Sequence, residues 1–437
     1  MLELKFVREN PQIIRADLHK RNDREKLDIL ENVLNFDIQL KKIQADLDEL
    51  RHSRNVVSKR VSQLIKDKAS AQDIEKSKAE AAIIPTKIEK FELEYKMVQK
   101  ALEQNLMKLP NVLDSSVPTG KDSTENKIIK TFKEPTSPIA NMPTHAEIAE
   151  SIGGADFAGS AKISGAGFTF LTGGLARLEL ALELFALDYL AAKGFTIVNP
   201  PIMMNREVYQ GVTDLQDFEQ VMYKIEGMDA FLIATSEHPM AAWHSNSVFD
   251  EFSLPVKLAG ISPCFRKEIG AHGVDTKGLF RLHQFNKIEQ FVYCKPSESW
   301  QYFEQLMDNA EQIWRMLDIP YQVVSICTGD IGTVAAKKLD IEAWFPREQA
   351  YKEVVSCSNC TNYQSVGLNI KYRIGKQGAI DEQKEFVHTL NSTAVATTRT
   401  LRAIIENYYQ ADGSVTIPKV LVPYMNGIES LKPINRK

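Results

Sequence analysis

The chain has few cysteines, no long uncharged apolar run and no net basic charge, and each lack excludes something. Five cysteines in 437 residues are an odd and sparse set. They argue against a disulfide framework and for a reducing compartment. The N-terminus MLELKFVRENPQIIRADLHKR has no apolar core of a signal peptide, and nothing downstream is long and apolar enough to span a bilayer. No membrane association is expected, and a cytoplasmic location follows. Lys and Arg number 53 against 57 Asp and Glu, a net charge of −4, so any nucleic-acid contact must come from a local patch. There is no GxxxxGK[ST] loop and no GxGxxG opening a helix after a strand, which disfavours a Walker-type ATPase or a dinucleotide fold. With 43% hydrophobic residues the chain can bury a sizeable core, and its length suggests two or three domains.

What is present begins with periodicity. Val33, Phe36, Leu40, Ile43, Leu47, Leu50, Arg54, Val57, Val61 and Leu64 alternate spacings of three and four, with only Arg54 interrupting the apolar seam. Ala81, Ile84, Ile88, Phe91, Tyr95, Val98 and Leu102 form a second seam after the polar turn at 66–73. Two such seams predict an antiparallel helical hairpin, with arms on the order of 50 Å long. Pro85 lies inside the second seam and predicts a kink, an interruption or a late start to that helix. Arg51, Arg54, Lys59, Arg60, Lys66 and Lys68 cluster toward the tip, with Asp67 opposing them. They form either a phosphate-tracking surface or the solvated face of a coiled coil.

Residues 110–145 are rich in Pro, Ser and Thr and read as an extended linker. Next, GLARLELALELFALDYLAAK at 174–193 predicts an amphipathic helix, followed by the strand FTIVNPPIMM. An apolar strand at 228–234 leads into Thr235-Ser236-Glu237. Thr235 and Glu237 share strand parity and can face one pocket, although a TSE before a helix also reads as an N-terminal capping box.

The most informative stretch is 256–293, two strands joined by a loop holding Gly270, Gly273 and Gly278. Alternation places Arg266 and Glu268 on one face of the first strand, and Arg281, His283, Phe285, Lys287 and Glu289 on one face of the second. The other side of the second strand is mostly apolar: Phe280, Leu282, Ile288 and Val292. Two guanidinium groups suit phosphate oxygens, Phe285 can stack on a nucleobase, Glu268 can accept from an exocyclic amine, and Glu289 can hold an ammonium or a hydroxyl. A solvated hairpin face with surface ion pairs is the plain alternative.

FRKE, a glycine-containing loop and GLFRLHQFNKIEQF together resemble motif 2 of class II aminoacyl-tRNA synthetases, in the seryl-tRNA synthetase version. The helix and strand at 174–204 resemble motif 1, and LNSTAVATTRTLRAIIENYY at 390–409 resembles motif 3. The closing VLVPYMNGIESLKP is similar too. This resemblance covers nearly the whole chain and implies an α+β fold: an N-terminal antiparallel coiled-coil hairpin, then an antiparallel sheet flanked by helices. It implies a tRNA-binding domain at 1–110, a linker at 111–144 and a catalytic domain at 145–437. The implied activity is ATP-dependent attachment of serine to tRNA(Ser) through a seryl-adenylate, with tRNA(Sec) as a further acceptor, in a homodimer using Mg2+.

The resemblance also implies residue roles. Arg266, Glu268 and Arg399 are catalytic. ATP is bound by Arg266, Lys267, Glu268, Leu282, Phe285, Glu353, Val354, Val355, Ser356 and Arg399, and Mg2+ is held with it by Glu353. Serine is bound by Thr235, Ser236, Glu237, Arg266, Glu289, Asn391 and Thr393, and tRNA by Arg51, Arg54, Lys59 and Arg60. Cys357-Ser-Asn-Cys360 is a CxxC, but with no second CxxC and only His388 downstream a zinc site lacks ligands, and the family carries this stretch without zinc.

Two departures stand out. Val366-Gly367 replaces a pair of arginines, and Ser392 replaces a glycine. They keep open a non-catalytic relative that binds RNA or regulates, although such a protein is expected to lose Arg266, Glu268, Glu289 or Arg399, and all are present. A carrier-protein ligase lacking the hairpin and a structural coiled-coil protein fit less well.

Overall fold

The computed structural model describes residues 1–268, 278–379 and 382–434. Gly270 and Gly273 lie outside the described residues. The chain divides into two compact units, Leu2–Pro110 and Asn111–Lys437 with Met1.

The first unit is helical. Two short helices, α1 (Leu4–Glu9) and α2 (Pro11–Lys20), precede the long pair α3 (Arg24–Lys66) and α4 (Ala71–Leu106). The Asp23 side chain caps α3 by accepting from the Lys26 amide, and Ser70 caps α4 by accepting from the Asp73 amide, so each arm starts where an orphan N–H finds a partner. The two seams meet: Ile43, Leu47 and Val57 are buried with Ile84 and Ile88, flanked by Leu50, Val61, Ala81, Phe91, Tyr95 and Val98. The expected interruption at Pro85 is absent. The helix starts at Ala71 and runs through the proline, because burial of Ile84 and Ile88 on either side offsets the one backbone bond that the ring forfeits.

The second unit is built on an eight-stranded sheet. In chain order its strands are β1 (Lys127–Phe132), β2 (Thr196–Val198), β3 (Val256–Phe265), β4 (Gln284–Cys294), β5 (Tyr321–Ser325), β6 (Lys337–Phe345), β7 (Ala350–Thr361) and β8 (His388–Ala396). The spatial order is β1-β5-β6-β7-β8-β4-β3-β2. Every neighbouring pair is antiparallel except β2 with β3. The segment read as an extended linker supplies the edge strand β1. Asn111 is held inside this unit, its Nδ2 donating to the carbonyl oxygens of Val334 at 3.0 Å and Cys360 at 2.8 Å.

Alternation decides the two faces of the central strands. Ile288 and Val292 of β4, Val355 and Cys357 of β7, and Leu390 and Ala394 of β8 point into the main core with Phe280 and Leu282. Helices α5 (Gly173–Ala192), α7 (Ser299–Met316) and α8 (Thr397–Asn407) pack there, while α6 (Glu237–Ala242) lies elsewhere. Each such aliphatic side chain contributes about 1.5–3 kcal/mol through burial. On the opposite face Phe291 and Tyr293 join a second apolar cluster with Tyr209, Phe231 and Met240. The remainder of that face is polar. No helix among the described residues is long and apolar enough to cross a membrane.

Candidate active site

The polar part of the sheet floors a cavity of about 470 Å³. Phe285, Lys287 and Glu289 of β4, Ser356, Ser358 and Cys360 of β7, and Asn391 and Thr393 of β8 line it, with Thr235, Glu237, Arg266, Lys338, Glu353 and Arg399 around them.

Around the paired acids, Lys287 Nζ lies 2.5 Å from Glu289 Oε2, and Thr393 Oγ1 donates to the same oxygen at 3.3 Å. Gln364 Nε2 donates to Glu237 Oε1 at 2.9 Å. Burial, and then the charge of Glu289, push the Glu237 carboxyl up to about 7, although Lys287, Gln364 and Arg266 pull it down. Burial likewise raises Glu289 against the pull of Lys287. Lys287 thus pairs with Glu289, while Glu237 feels that ammonium only as a nearby charge, an arrangement that a second cation would complete. Burial, then Lys287 and Arg266, hold His238 down at about 3, so it is neutral beside them.

The second cluster is cationic. Arg399, in the first turn of α8, donates from Nη1 to the Glu353 carbonyl at 3.0 Å and to its Oε1 at 3.2 Å. Its guanidinium sits 4.9 Å from the centre of the Phe280 ring. Burial alone would raise the Glu353 carboxyl, but Arg399, Lys338 and Arg266 more than offset it and hold it low. The carboxylate is 47% exposed to the cavity, so it is available to a ligand. Arg266 is anchored by its backbone N–H to His283 O at 3.0 Å and by Nε to Ala234 O at 3.3 Å, and it lies 5.6 Å from the Phe285 ring centre.

A β-bulge explains why Glu353 and Ser356 share the cavity. Residues three apart on a strand normally face opposite sides. Here Ile341 pairs with Val355 and Glu342 with Glu353, so Val354 is an extra residue that re-aims Glu353. Glu353 and Ser356 offer the hard oxygen donors that Mg2+ takes together with phosphates and water. No cluster of three or more His, Cys, Asp or Glu suited to a metal exists among the described residues. Cys357 is turned into the core and Cys360 into the cavity, so the CxxC does not converge on one point.

Several expected site residues are placed differently. β3 ends at Phe265, so alternation does not extend to Arg266 and Glu268; Glu268 has a φ of 48° and pairs with Arg281 at 3.3 Å. Lys267 Nζ lies 5.9 Å from the Tyr223 ring centre. Neither Lys267 nor Glu268 lines the cavity. Ser236 is fully buried, with its hydroxyl on Gly260 O at 3.3 Å, away from the cavity that Thr235 and Glu237 line, as their shared parity requires. No capping bond forms from Ser236; the Glu237 N–H donates to Thr235 Oγ1 at 3.2 Å instead. Leu282 and Val355 have core side chains, which leaves only their backbones for a ligand. On the arm, Arg51 pairs with Glu92 at 3.0 Å and Arg60 with Glu80 at 3.2 Å, whereas Arg54 and Lys59 are exposed and have no ion-pair or hydrogen-bond partner among the described residues. The departures have simple local accounts. A side chain at Gly367 would meet Gly211 O at 2.6 Å, and Ser392 lies in β8 without a positive φ, so no glycine is required there.

Lys287 was visible in the alternation with Phe285 and Glu289 yet was given no role. Lys338 and Gln364 carried no sequence signal, since each gains its meaning from a partner far along the chain.

Residues 222–408 match the family model of the tRNA synthetase class II core domain (G, H, P, S and T), and residues 1–113 match that of the seryl-tRNA synthetase N-terminal domain. The chain is 55% identical over 431 residues to the serine–tRNA ligase of Methanocella arvoryzae, across 99% of this chain and 100% of that protein. It is 42% identical to the crystal structure of seryl-tRNA synthetase from Pyrococcus horikoshii complexed with ATP, with a TM-score of 0.91 and 100% of both chains covered. It is 35% identical to the cytoplasmic serine–tRNA ligase of Naegleria fowleri in complex with AMP, with a TM-score of 0.87, covering 100% of this chain and 99% of that one. The chain belongs to the seryl-tRNA synthetase family of class II aminoacyl-tRNA ligases.

Proposed function

We propose that the cavity activates serine with ATP and passes it to tRNA(Ser). The observation that carries this reading is the placement, in one cavity, of the two acids Glu237 and Glu289, of which only Glu289 is ion-paired with Lys287, together with two arginines and the exposed side chain of Glu353. A serine carboxylate oxygen attacks the α-phosphorus of ATP, the bond to the bridging oxygen breaks, and pyrophosphate leaves. The terminal ribose hydroxyl of tRNA then attacks the carbonyl of the seryl-adenylate, and AMP leaves. The residues position and neutralise rather than bond covalently. Arg266 holds the α-phosphate and the serine carboxylate, Arg399 the γ-phosphate, and Phe285 the adenine. Val354 and the backbones at Leu282 and Val355 complete the nucleotide site, and Lys267 and Glu268, which do not line the cavity, would have to leave Tyr223 and Arg281 to join it. Glu353 and Ser356 would hold Mg2+, which would supply charge neutralisation on the phosphates. Thr235, Glu237, Glu289, Asn391 and Thr393 take serine, with Ser236 supporting them from behind. Buried partners for its hydroxyl reject alanine.

Amino-acid-dependent ATP–pyrophosphate exchange tests this directly, and we expect exchange with serine alone among the twenty amino acids. Exchange with another would overturn the substrate, and none from folded protein that still binds tRNA would favour the non-catalytic relative.

Leu2–Pro110 serves as the tRNA-binding domain, and tRNA(Sec) is a further acceptor if it presents the same shape to the hairpin. Since Arg51 and Arg60 are paired, Arg54 and Lys59 are the two of its four expected tRNA contacts without an ion pair among the described residues. Replacing both by alanine is expected to weaken tRNA binding about tenfold at moderate salt and to lower the salt slope by about two, with pyrophosphate exchange unchanged. Unaltered filter binding of the double variant would remove the hairpin from recognition.

We further propose a homodimer formed through α5 and the edge strand β2. Leu180 and Leu184 are 58% and 52% exposed one turn apart on α5, and Ile197 of β2 is 48% exposed, an apolar surface that a monomer would leave wet. Light scattering is expected to give twice the 49.3 kDa chain mass, and Leu184→Glu is expected to halve it. A monomeric wild type would exclude the dimer. A cytoplasmic location goes with tRNA as the second substrate.

A further inference from the structure

We propose that Gln364 and Thr389 are positioning residues that aim Glu237 at the amino-acid ligand. The inference rests on the serine-site reading above. Both side chains are fully buried, and neither lines the cavity. Gln364 stands in the first turn of the helix Tyr363–Leu368, and Thr389 is the second residue of β8.

An amide can present either its oxygen or its NH2 to a neighbour. Thr389 Oγ1 donates to Gln364 Oε1 at 2.7 Å, which turns the NH2 toward Glu237 Oε1 at 2.9 Å. The opposite orientation would set the amide oxygen against a carboxylate oxygen, two acceptors without a proton between them. The hydroxyl of Thr389 therefore selects the rotamer that gives Glu237 a donor. Residues 389, 391 and 393 alternate on one face of β8, and the strand serves both acids of the pair: Thr393 reaches Glu289 directly, and Thr389 reaches Glu237 through Gln364.

Glu237 also faces Glu289 and Lys287 from β4, Arg266 beyond β3, Cys360 from β7, Tyr209, and His238 on its own helix. Among the described residues the Gln364 amide is the one side chain that donates to its carboxylate, so losing that donor lets the carboxylate swing and take a proton at higher pH.

The test is steady-state pyrophosphate exchange and serine calorimetry on full-length wild type, Gln364→Met, Thr389→Val and Thr389→Ser. Gln364→Met is expected to raise the serine KM about tenfold, the usual cost of a lost bond to a charged group, and to move its acid-side rise to higher pH. Thr389→Val should raise it severalfold, and Thr389→Ser, which restores the donor, should stay within twofold of wild type. The ATP KM should hold constant throughout. A serine KM within twofold of wild type in both Gln364→Met and Thr389→Val would overturn the proposal and leave the serine reading standing. A parallel rise in the ATP KM would also overturn it, by reducing the pair to a structural role. A wild type that neither binds nor exchanges with serine would overturn the serine reading itself, and this inference with it.

Discussion

Arg266→Ala is expected to lower serine-dependent pyrophosphate exchange about a thousandfold, the upper range for removing one preorganised donor from a developing charge. The backbone N–H is held by the His283 carbonyl, and the guanidinium is held through Nε by the Ala234 carbonyl and lies beside the Phe285 ring, so it meets its ligand without reordering. No neighbour can take its place. Lys287 is bound to Glu289 and Arg399 to Glu353. Because the side chain is only partly buried, its loss should leave the melting temperature within a few degrees. Arg266→Lys keeps the charge but not the fork and should recover a minor part of the rate. A loss below tenfold in Arg266→Ala, with the fold intact, would move the α-phosphate contact elsewhere.

Lowering the pH from 8 to 5 is expected to raise the serine KM about a hundredfold, tenfold per unit below the Glu237 titration. That carboxyl stands at about 7 because it is buried and faces Glu289. The ligand ammonium needs it ionised. Glu353, held low by its cations against the effect of burial, stays charged through this window, so the ATP KM should move little. The same shift has a stability consequence. The folded state binds a proton that the unfolded chain releases near the ordinary carboxylate value, so ligand-free protein loses stability as the pH rises toward and through about 7. Serine should therefore raise the melting temperature more at pH 8 than at pH 6. Glu237→Gln should show a high serine KM with the pH dependence flattened. A wild-type serine KM that is flat from pH 5 to 8 would refute the assignment.

Much of this was legible in the chain. The two seams of the hairpin and the two faces of β4 follow from spacing alone, because a helix repeats every 3.6 residues and a strand every two. The coupling of Phe285, Lys287 and Glu289 on one face needed nothing more. Legibility stopped where the period changed. The backbone at Glu268 enters the left-handed region, so its carboxylate leaves the face of Arg266. Pro85 misled in the other direction, since its local cost is real but the partner helix outweighs it. Gln364 was beyond sequence reading because its meaning depends on Glu237 and Thr389, which lie 127 and 25 residues away.

The extra residue at Val354 also governs which genetic changes β7 can absorb. Substituting Val354 by another aliphatic alters packing by a methyl group or two. Deleting it leaves Glu353 and Ser356 two apart, so strict alternation keeps both on the cavity side, and the pairing of Ile341 with Val355 and of Glu342 with Glu353 already skips the deleted position. A gap opened at this column when distant relatives are aligned therefore does not mark a lost carboxylate. What would turn Glu353 toward the core is a strand pulled straight with Val354 still in place, because residues three apart then face opposite sides.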